Sequence, residues 1–298
     1  MNSNLAIALA AATVLATGPA ASASFSVLCD SQEEIAQKTC TVKLTGPIEL
    51  GDAQKLLRII RKPQQPGWSY SRLLLDSPGG SISAAIELSA VVRQALLYTA
   101  TGRPVAARPP IPGRVDTYHC VSACFLVWVA GAQRMTTAFI LPRHADGTSE
   151  IGLHRPYLER GAYERLPSQV AAMQQQATQL TSEYLRREQV PQDLIEKMLS
   201  RASTQVYWVG PGDTEISFKS PWFEEMMIAR CGFDPTRTEE SARYATERWL
   251  ERLAATGSPD MSDRVDKDTR ERQDKARGQQ DFACQQAAQA SAQAALRR

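Results

Sequence analysis

An apolar segment that runs into a Gly-Gly turn constrains the fold of this chain more than any other feature. Residues 73–75 are three leucines, and the polar turn that follows them ends in Gly79-Gly80. A strand without polar side chains suits a parallel sheet that is covered on both faces. The next segment, residues 81–97, has the composition of a helix. The segment therefore predicts one strand–turn–helix unit of an α/β domain.

The same order of strand, turn and helix recurs along the chain, which predicts an α/β domain with crossover connections. Residues 98–114 are rich in proline and glycine and predict an irregular loop. The other predicted strands are 41–47, 115–119, 135–141 and 151–154, and the other predicted helices are 49–61, 122 to about 132, 162–188 and 191–199.

The N-terminus has the features of a secretory signal peptide. Residues 5–17 are uncharged and mostly apolar, Gly18-Pro19 breaks the helix, and Ala21-Ser22-Ala23 is a small-x-small cleavage site. No basic residue precedes the apolar run. The alternative is an uncleaved anchor, but the run is shorter than the about 20 apolar residues that span a bilayer. We therefore expect cleavage after Ala23, no stable membrane span, and a periplasmic or secreted protein.

The C-terminal part of the chain differs in composition from the rest. Residues 237–298 alternate basic and acidic side chains and hold few large apolar ones. This pattern predicts a helical appendage with salt bridges or a partly disordered tail. The predicted organisation is a signal peptide at 1–23, a main domain at 24–235 and a charged tail at 236–298.

Charge and motif content argue against several classes of partner. The formal net charge is only +2, and aromatic residues do not interleave with basic ones, so no nucleic acid is expected. No nucleotide-binding loop is present, and no cofactor is expected. Two histidines and two cysteines, His119, Cys120, Cys124 and His144, match no common zinc-ligand spacing, so no metal is expected.

The cysteines agree with export. All six follow the predicted cleavage site, and an even number in an exported chain favours disulfides. Their clustering favours three pairs among the possible pairings. For the middle pair, two buried thiols are an open alternative. The predicted pairs are Cys29–Cys40, Cys120–Cys124 and Cys231–Cys284, the last of which would tie the tail to the main domain.

Three features suit acyl-transfer chemistry when taken in order along the chain. Gly79-Gly80 offers backbone N–H donors, Ser122 offers a hydroxyl nucleophile at a predicted helix start, and His154 offers an imidazole base. Each also has a simpler interpretation. The serine suits a helix cap, the histidine a structural hydrogen bond, and the glycines a tight turn. Their combination favours a catalytic site.

Three segments that contain these residues resemble a known family. They are Leu-Leu-Asp-Ser-Pro-Gly-Gly-Ser-Ile at 74–82, Ser-Ala-Cys at 122–124 with Ala-Gly-Ala-Gln-Arg at 130–134, and Gly-Leu-His-Arg-Pro at 152–156. They resemble the proteolytic subunit of Clp protease in the Clp/crotonase superfamily, and the chain is similar to exported bacterial relatives of it. The order and spacing match over residues 41–210. The resemblance implies a Clp/crotonase-type spiral of β-β-α units, here followed by the charged helical tail.

The resemblance also implies roles for individual residues. Ser122 would be the nucleophile and His154 the general base. The backbone amides of Gly79 or Gly80 and of Ala123 would form the oxyanion hole. These roles agree with physical expectation, since glycine allows the backbone to approach a substrate carbonyl closely and N–H donors stabilise an oxyanion.

The third member of the family's catalytic triad has no counterpart in this chain. The family places an aspartate shortly after the helix that here ends near residue 199, and residues 201–208 contain no carboxylate. Thr204 or Gln205 would orient the imidazole as a neutral partner, and Asp213 lies a few residues further on. Loss of the acid lowers the rate of a triad enzyme by several orders of magnitude.

These observations predict a periplasmic serine hydrolase, and more narrowly a peptidase. The resemblance implies that peptide binds as an extended strand beside the Gly-Gly segment. An exported chain has no ATP-driven unfoldase, so its substrates would be short peptides or unfolded proteins. The alternative is a catalytically silent scaffold that binds peptides or assembles with partners. The missing acid favours the scaffold, and the retained serine and histidine oppose it. Assembly into a homo-oligomer is left open.

Overall fold

The apolar segment at 73–75 lies within β3, the middle strand of a five-stranded sheet. The computed structural model describes residues 22–101, 119–135, 151–158, 164, 167–202, 205–209, 213, 220–232 and 261–298. Neighbours in the first sheet are antiparallel at β1–β2 and parallel elsewhere. Its strands, in spatial order, are β1 (Ser24–Leu28), β2 (Thr39–Thr45), β3 (Ser69–Asp76), β4 (Tyr98–Ala100) and β6 (Arg134–Met135).

A second, three-stranded sheet adjoins the end of β3. Its strands, in spatial order, are β5 (Cys120–Val121), β7 (Ile151–Leu153) and β8 (Tyr207–Trp208). The β5–β7 pair is parallel and the β7–β8 pair is antiparallel. Ser77 connects the two sheets, because its N–H donates to the His119 carbonyl at 2.6 Å and its carbonyl accepts from Val121 N–H at 3.0 Å. The turn after β3 therefore lies where the sheets meet.

Helix α3 (Ile82–Gln94) packs against both α2 (Asp52–Arg61) and α4 (Cys124–Val129), and all three contribute to the main core. All three leucines of β3 are buried, Leu73 and Leu75 of them in this core, as a strand covered on both faces should be. The helices are α1 (Gln32–Gln37), α2 (Asp52–Arg61), α3 (Ile82–Gln94), α4 (Cys124–Val129), α5 (Val170–Arg187), α6 (Gln192–Ser200), α7 (Pro221–Cys231) and α8 (Met261–Leu296), and a 3-10 turn (Pro167–Gln169) precedes α5.

The mixed α/β class predicted from the sequence is confirmed, and several local predictions need correction, among them strands β1, β5 and β8, which were not predicted. Residues 98–100 form β4 rather than the start of a loop, since Thr99 and Ala100 are buried between β3 and β6. Two helices were not predicted. Helix α1 begins with a capping box formed by Ser31 and Glu34, and α7 begins at Pro221. A capping box and a proline at the first helical position are both recognised start signals for helices.

The last turns of α8 pack against the first sheet through two buried glutamines. The Gln293 side chain accepts from Tyr70 N–H at 2.9 Å and donates to the carbonyls of Tyr70 and Ala95 at 2.6 and 3.2 Å. The Gln289 amide donates to the carbonyls of Ser71 and Leu96 at 3.0 and 2.7 Å. These amides satisfy backbone groups at the start of β3, so the end of the chain contributes to the fold.

The three disulfides predicted from the sequence are all present, and the described residues contain no free cysteine. Cys29–Cys40 connects the end of β1 to β2, and Cys120–Cys124 connects β5 to α4. Cys231–Cys284 closes the longest loop, with a sequence separation of 53, and joins α7 to α8. None of the helices in the described part of the chain is both long and apolar enough to cross a bilayer.

We predict that Gln293→Leu lowers the free energy of unfolding by about 1–3 kcal/mol, because it leaves the buried N–H of Tyr70 without an acceptor. Thermal and urea unfolding measure this loss. Gln279→Leu on the same helix is the matched control, since Gln279 is exposed. Equal stability of the two variants would contradict the proposed role of the buried amide.

Candidate active site

Ser122 occupies a strained turn between β5 and α4. Its φ is +59°, in the left-handed region that non-glycine residues rarely adopt. Its N–H donates to the Gly152 carbonyl at 2.8 Å and its carbonyl accepts from Phe125 N–H at 3.0 Å. These backbone bonds hold the turn in its conformation. Strain of this kind is concentrated at functional sites.

The hydroxyl of Ser122 is not used as a helix cap. Helix α4 begins at Cys124, its N-cap is Ala123, and this cap makes no side-chain hydrogen bond. Within the described residues, no hydrogen bond is formed by the Ser122 side chain, which is half-buried. The helix was predicted to start at Ser122 itself. The positive φ excludes that residue from the helix and leaves its hydroxyl available for chemistry.

Gly79 and Gly80 lie against this turn, and only glycine fits at either position. Their φ angles are +106° and +139°. A Cβ on Gly79 would lie 2.7 Å from the Cβ of Ser122, and a Cβ on Gly80 would lie 2.2 Å from the Ile48 carbonyl oxygen. Gly79 therefore brings the turn after β3 into direct contact with the serine turn, and Gly80 brings it into contact with Ile48.

Of the backbone N–H groups around Ser122, some already donate a hydrogen bond and others do not. The Gly79 N–H donates to the Ser77 hydroxyl at 3.1 Å, and that buried hydroxyl donates to the Gly79 carbonyl at 3.3 Å. No acceptor within the described part of the chain is bound to the N–H of Gly80 or of Ala123. Of the two glycines predicted to supply an oxyanion donor, Gly80 is the one whose amide is available.

His154 follows β7 directly and its side chain is buried, with 8% relative exposure. Its Nδ1 lies 3.0 Å from the carbonyl oxygen of Arg155. A carbonyl can only accept, so this hydrogen bond requires the proton on Nδ1 and leaves Nε2 as the basic nitrogen. The ring also packs on Tyr157 with 5.4 Å between centroids. A structural hydrogen bond was the simpler interpretation of this histidine, and the Arg155 carbonyl is the partner that forms it.

The β5–β7 pairing brings the serine and histidine segments together. Val121 pairs with Gly152, and the Ser122 N–H binds the carbonyl of that same glycine. His154 is therefore two residues beyond the backbone group that holds Ser122. Among the described residues, the hydrogen bonds do not include one between the Ser122 hydroxyl and the His154 ring. The strand pairing therefore brings the two segments together, although the hydroxyl and the imidazole make no direct hydrogen bond.

The three candidates for a third member have different environments. Thr204 lies outside the described residues. Gln205 is exposed, and its N–H donates to the Ala202 carbonyl at 2.9 Å in the segment just before β8. Asp213 is buried, and it accepts from Lys197 Nζ at 2.8 Å and from the Tyr207 hydroxyl at 2.9 Å. The hydrogen bond to Asp213 is the main cause that raises the pKa of Lys197.

Two further features surround the serine turn. The Cys120–Cys124 disulfide spans it, with Ser122 at the middle of the closed ring, and both cysteines are fully buried. Gly152 also requires its small size, because a Cβ there would lie 2.7 Å from Val206 Cγ1 and 3.0 Å from the Trp208 ring. No group of three or more His, Cys, Asp or Glu side chains that could hold a metal occurs in the part of the chain described.

Comparison with known proteins does not establish a family. No protein-family model matches the chain, and no curated protein matches it. Among solved structures, it is similar to a mutant of ClpP1 from Listeria monocytogenes, with 15% sequence identity and a TM-score of 0.38. The match covers 63% of this chain and 92% of that one.

We predict that Gly79→Ala destabilises the protein by about 2–5 kcal/mol, because the added Cβ meets Ser122 and Val121 at a left-handed backbone position. Thermal unfolding measures the change. The control is Gly278→Ala on α8, where an added Cβ meets nothing within 4 Å and should stabilise the helix by up to about 1 kcal/mol. If Gly79→Ala melts like the wild type, the close approach of the two turns is wrong.

Proposed function

We propose that the protein is a periplasmic serine hydrolase that acts on peptide bonds. The observation that carries the proposal is the Ser122 hydroxyl, which makes no hydrogen bond to the described residues although its backbone is held at positive φ. A serine on a sharp strand-to-helix turn presents its hydroxyl outward, as a nucleophile must. The resemblance of the surrounding motifs to the Clp/crotonase superfamily agrees, and the spiral of β-β-α units is part of the proposal.

In the proposed mechanism, His154 Nε2 accepts the proton of the Ser122 hydroxyl as the serine oxygen attacks the substrate carbonyl carbon. The N–H groups of Gly80 and Ala123 stabilise the resulting oxyanion. The protonated imidazole then gives its proton to the leaving amine, and an acyl-enzyme remains. In the second half of the reaction, His154 takes a proton from a water molecule as the water attacks the ester carbonyl. The imidazolium then gives this proton to the Ser122 oxygen, which releases the acid product and restores the serine hydroxyl.

The Arg155 carbonyl takes the orienting role that a carboxylate has in a Ser-His-Asp triad. It accepts from Nδ1 at 3.0 Å and so fixes the tautomer that the base requires. A neutral carbonyl stabilises the imidazolium less than a carboxylate does. We therefore expect an activity well below that of a complete triad.

A peptide substrate is supported by the apolar surface near His154. Tyr157, Val206 and Trp208 are large apolar side chains with 54%, 37% and 37% exposure, and two of them contact Gly152. Exposed apolar groups beside polar catalytic groups suit the side chains of a peptide. Substrates would be short peptides or unfolded proteins.

A catalytically silent scaffold is the second candidate. The observation that favours it is the missing hydrogen bond between Ser122 and His154 among the described residues, together with a backbone partner in place of a triad acid. In this case the same surface would bind peptide or assemble with partners without turnover.

We predict that a fluorophosphonate probe labels the wild-type protein at Ser122, and that Ser122→Ala and His154→Ala abolish or suppress labelling. Ser122→Ala should change the free energy of unfolding by less than about 0.5 kcal/mol, because the hydroxyl makes no bond in the fold. Peptide mapping of the labelled protein identifies the serine. The controls are Ser83→Ala on the exposed start of α3 and His119→Ala, which should both keep the label. A wild-type protein that stays unlabelled would support the scaffold.

We also predict that Gln205→Asp raises the labelling rate by about tenfold or more, because it places a carboxylate in the segment where the family resemblance implies the triad acid, and such a carboxylate stabilises the imidazolium. Gln205→Asn is the control, since it shortens the side chain in the same way without the charge. Equal rates for the two variants would show that residue 205 does not act on the imidazole.

A further inference from the structure

Ala23 is a buried part of the folded domain, although a cleavage site was predicted directly after it. Its relative exposure is 2%. Its N–H donates to Asp52 Oδ2 at 3.3 Å, and its carbonyl accepts from Lys55 Nζ at 3.1 Å. Ala23 is therefore held on both sides immediately before β1. Ser22 is exposed, and its hydroxyl accepts from the same Lys55 Nζ at 2.5 Å.

The partner of Ala23 is a fully buried carboxylate. Asp52 is the first residue of α2 and has 0% exposure. It also accepts from Glu49 N–H at 2.8 Å and from Lys55 Nζ at 2.8 Å. A buried carboxylate is costly unless donors and positive charge surround it. Cleavage after Ala23 would remove one of these donors and open a cavity beside the charge.

The sequence offers a second processing site one residue earlier. Ala20-Ala21-Ser22 is also a small-x-small triplet, which places the cut between Ser22 and Ala23. Hydrolysis of this peptide bond by a signal peptidase consumes one water. It leaves a carboxylate on Ser22 of the leader and converts the Ala23 amide nitrogen into an α-ammonium group.

We propose that the mature chain begins at Ala23 and that its α-ammonium group binds the buried carboxylate of Asp52. The new charge forms where a neutral N–H already contacts that carboxylate. Processing therefore adds an ion pair to a hydrogen bond that already goes to a carboxylate. Because β1 is the edge strand of the first sheet, the ion pair formed on removal of the leader would stabilise the attachment of this strand to α2. The inference concerns maturation and is independent of the proposed hydrolase activity.

The surrounding charges allow a test by pH. Asp52 and Lys55 contact Ala23, and Arg58 and Lys62 of α2 line the same cleft. The residues of β1 carry no titratable side chain. Deprotonation of the α-ammonium group at alkaline pH removes its charge, so the stability that the ion pair adds is lost there.

Three oxidised chains test the proposal by their melting temperatures. They begin at Ser22, Ala23 and Ser24, and each is released from a fusion partner by a protease that leaves no extra residue. The chain from Ser22 keeps the Ala23 amide but moves the ammonium away, so it is the matched control. We expect the chain from Ala23 to melt about 2–4 °C above both others near neutral pH. We expect its advantage over the chain from Ser22 to vanish at alkaline pH and in the Asp52→Asn background.

Intact-mass measurement and N-terminal sequencing of the exported protein complete the test. An N-terminus at Ala23 supports the proposal, and one at Ser22 or Ser24 overturns it. Equal melting of the chains from Ala23 and Ser22 near neutral pH overturns the ion pair. None of these readouts uses catalysis, so a protein without hydrolase activity leaves the result unaffected.

Discussion

The close contact between two backbone turns is the constraint on which the candidate site depends. The turn at Gly79 and Gly80 lies between Ile48 on one side and Ser122 on the other, at distances that leave no room for a Cβ. Hydrogen bonds from Ser77 to the β5 segment keep the two sheets together at this point. The glycines that this contact requires are also those of the candidate site.

The serine turn is held from three directions, which accounts for its left-handed conformation. The Gly152 carbonyl binds the Ser122 amide, the Cys120–Cys124 disulfide closes the ring around it, and Gly79 packs on its Cβ. A non-glycine residue at positive φ persists only where its surroundings determine the conformation in this way. The hydroxyl itself contributes no hydrogen bond to the described fold. A positive φ, a backbone held by its surroundings and a hydroxyl without a hydrogen bond are together what is expected of a nucleophilic serine.

The imidazole is held differently from the base of a complete triad. Its Nδ1 binds the backbone carbonyl of the next residue, while the predicted acid, Asp213, is bound by Lys197 and Tyr207. The histidine therefore has a fixed tautomer but lacks a charged partner within the described residues. A slow hydrolase and a silent scaffold both follow from this arrangement. Reactivity of Ser122 distinguishes them.

Much of this protein was already determined by local sequence. The apolar strand at 73–75, the Gly-Gly turn, the pairing of cysteines by clustering and the mixed α/β class all follow from patterns of neighbouring residues. Only tertiary structure decided the conformation of Ser122, the engagement of the Gly79 amide by Ser77, the burial of Gln293 and the burial of Ala23. Each of these depends on a contact with a distant segment. A positive φ, an occupied amide or a buried glutamine has no signature in its own neighbours along the chain, because the partner that imposes it is supplied by the fold.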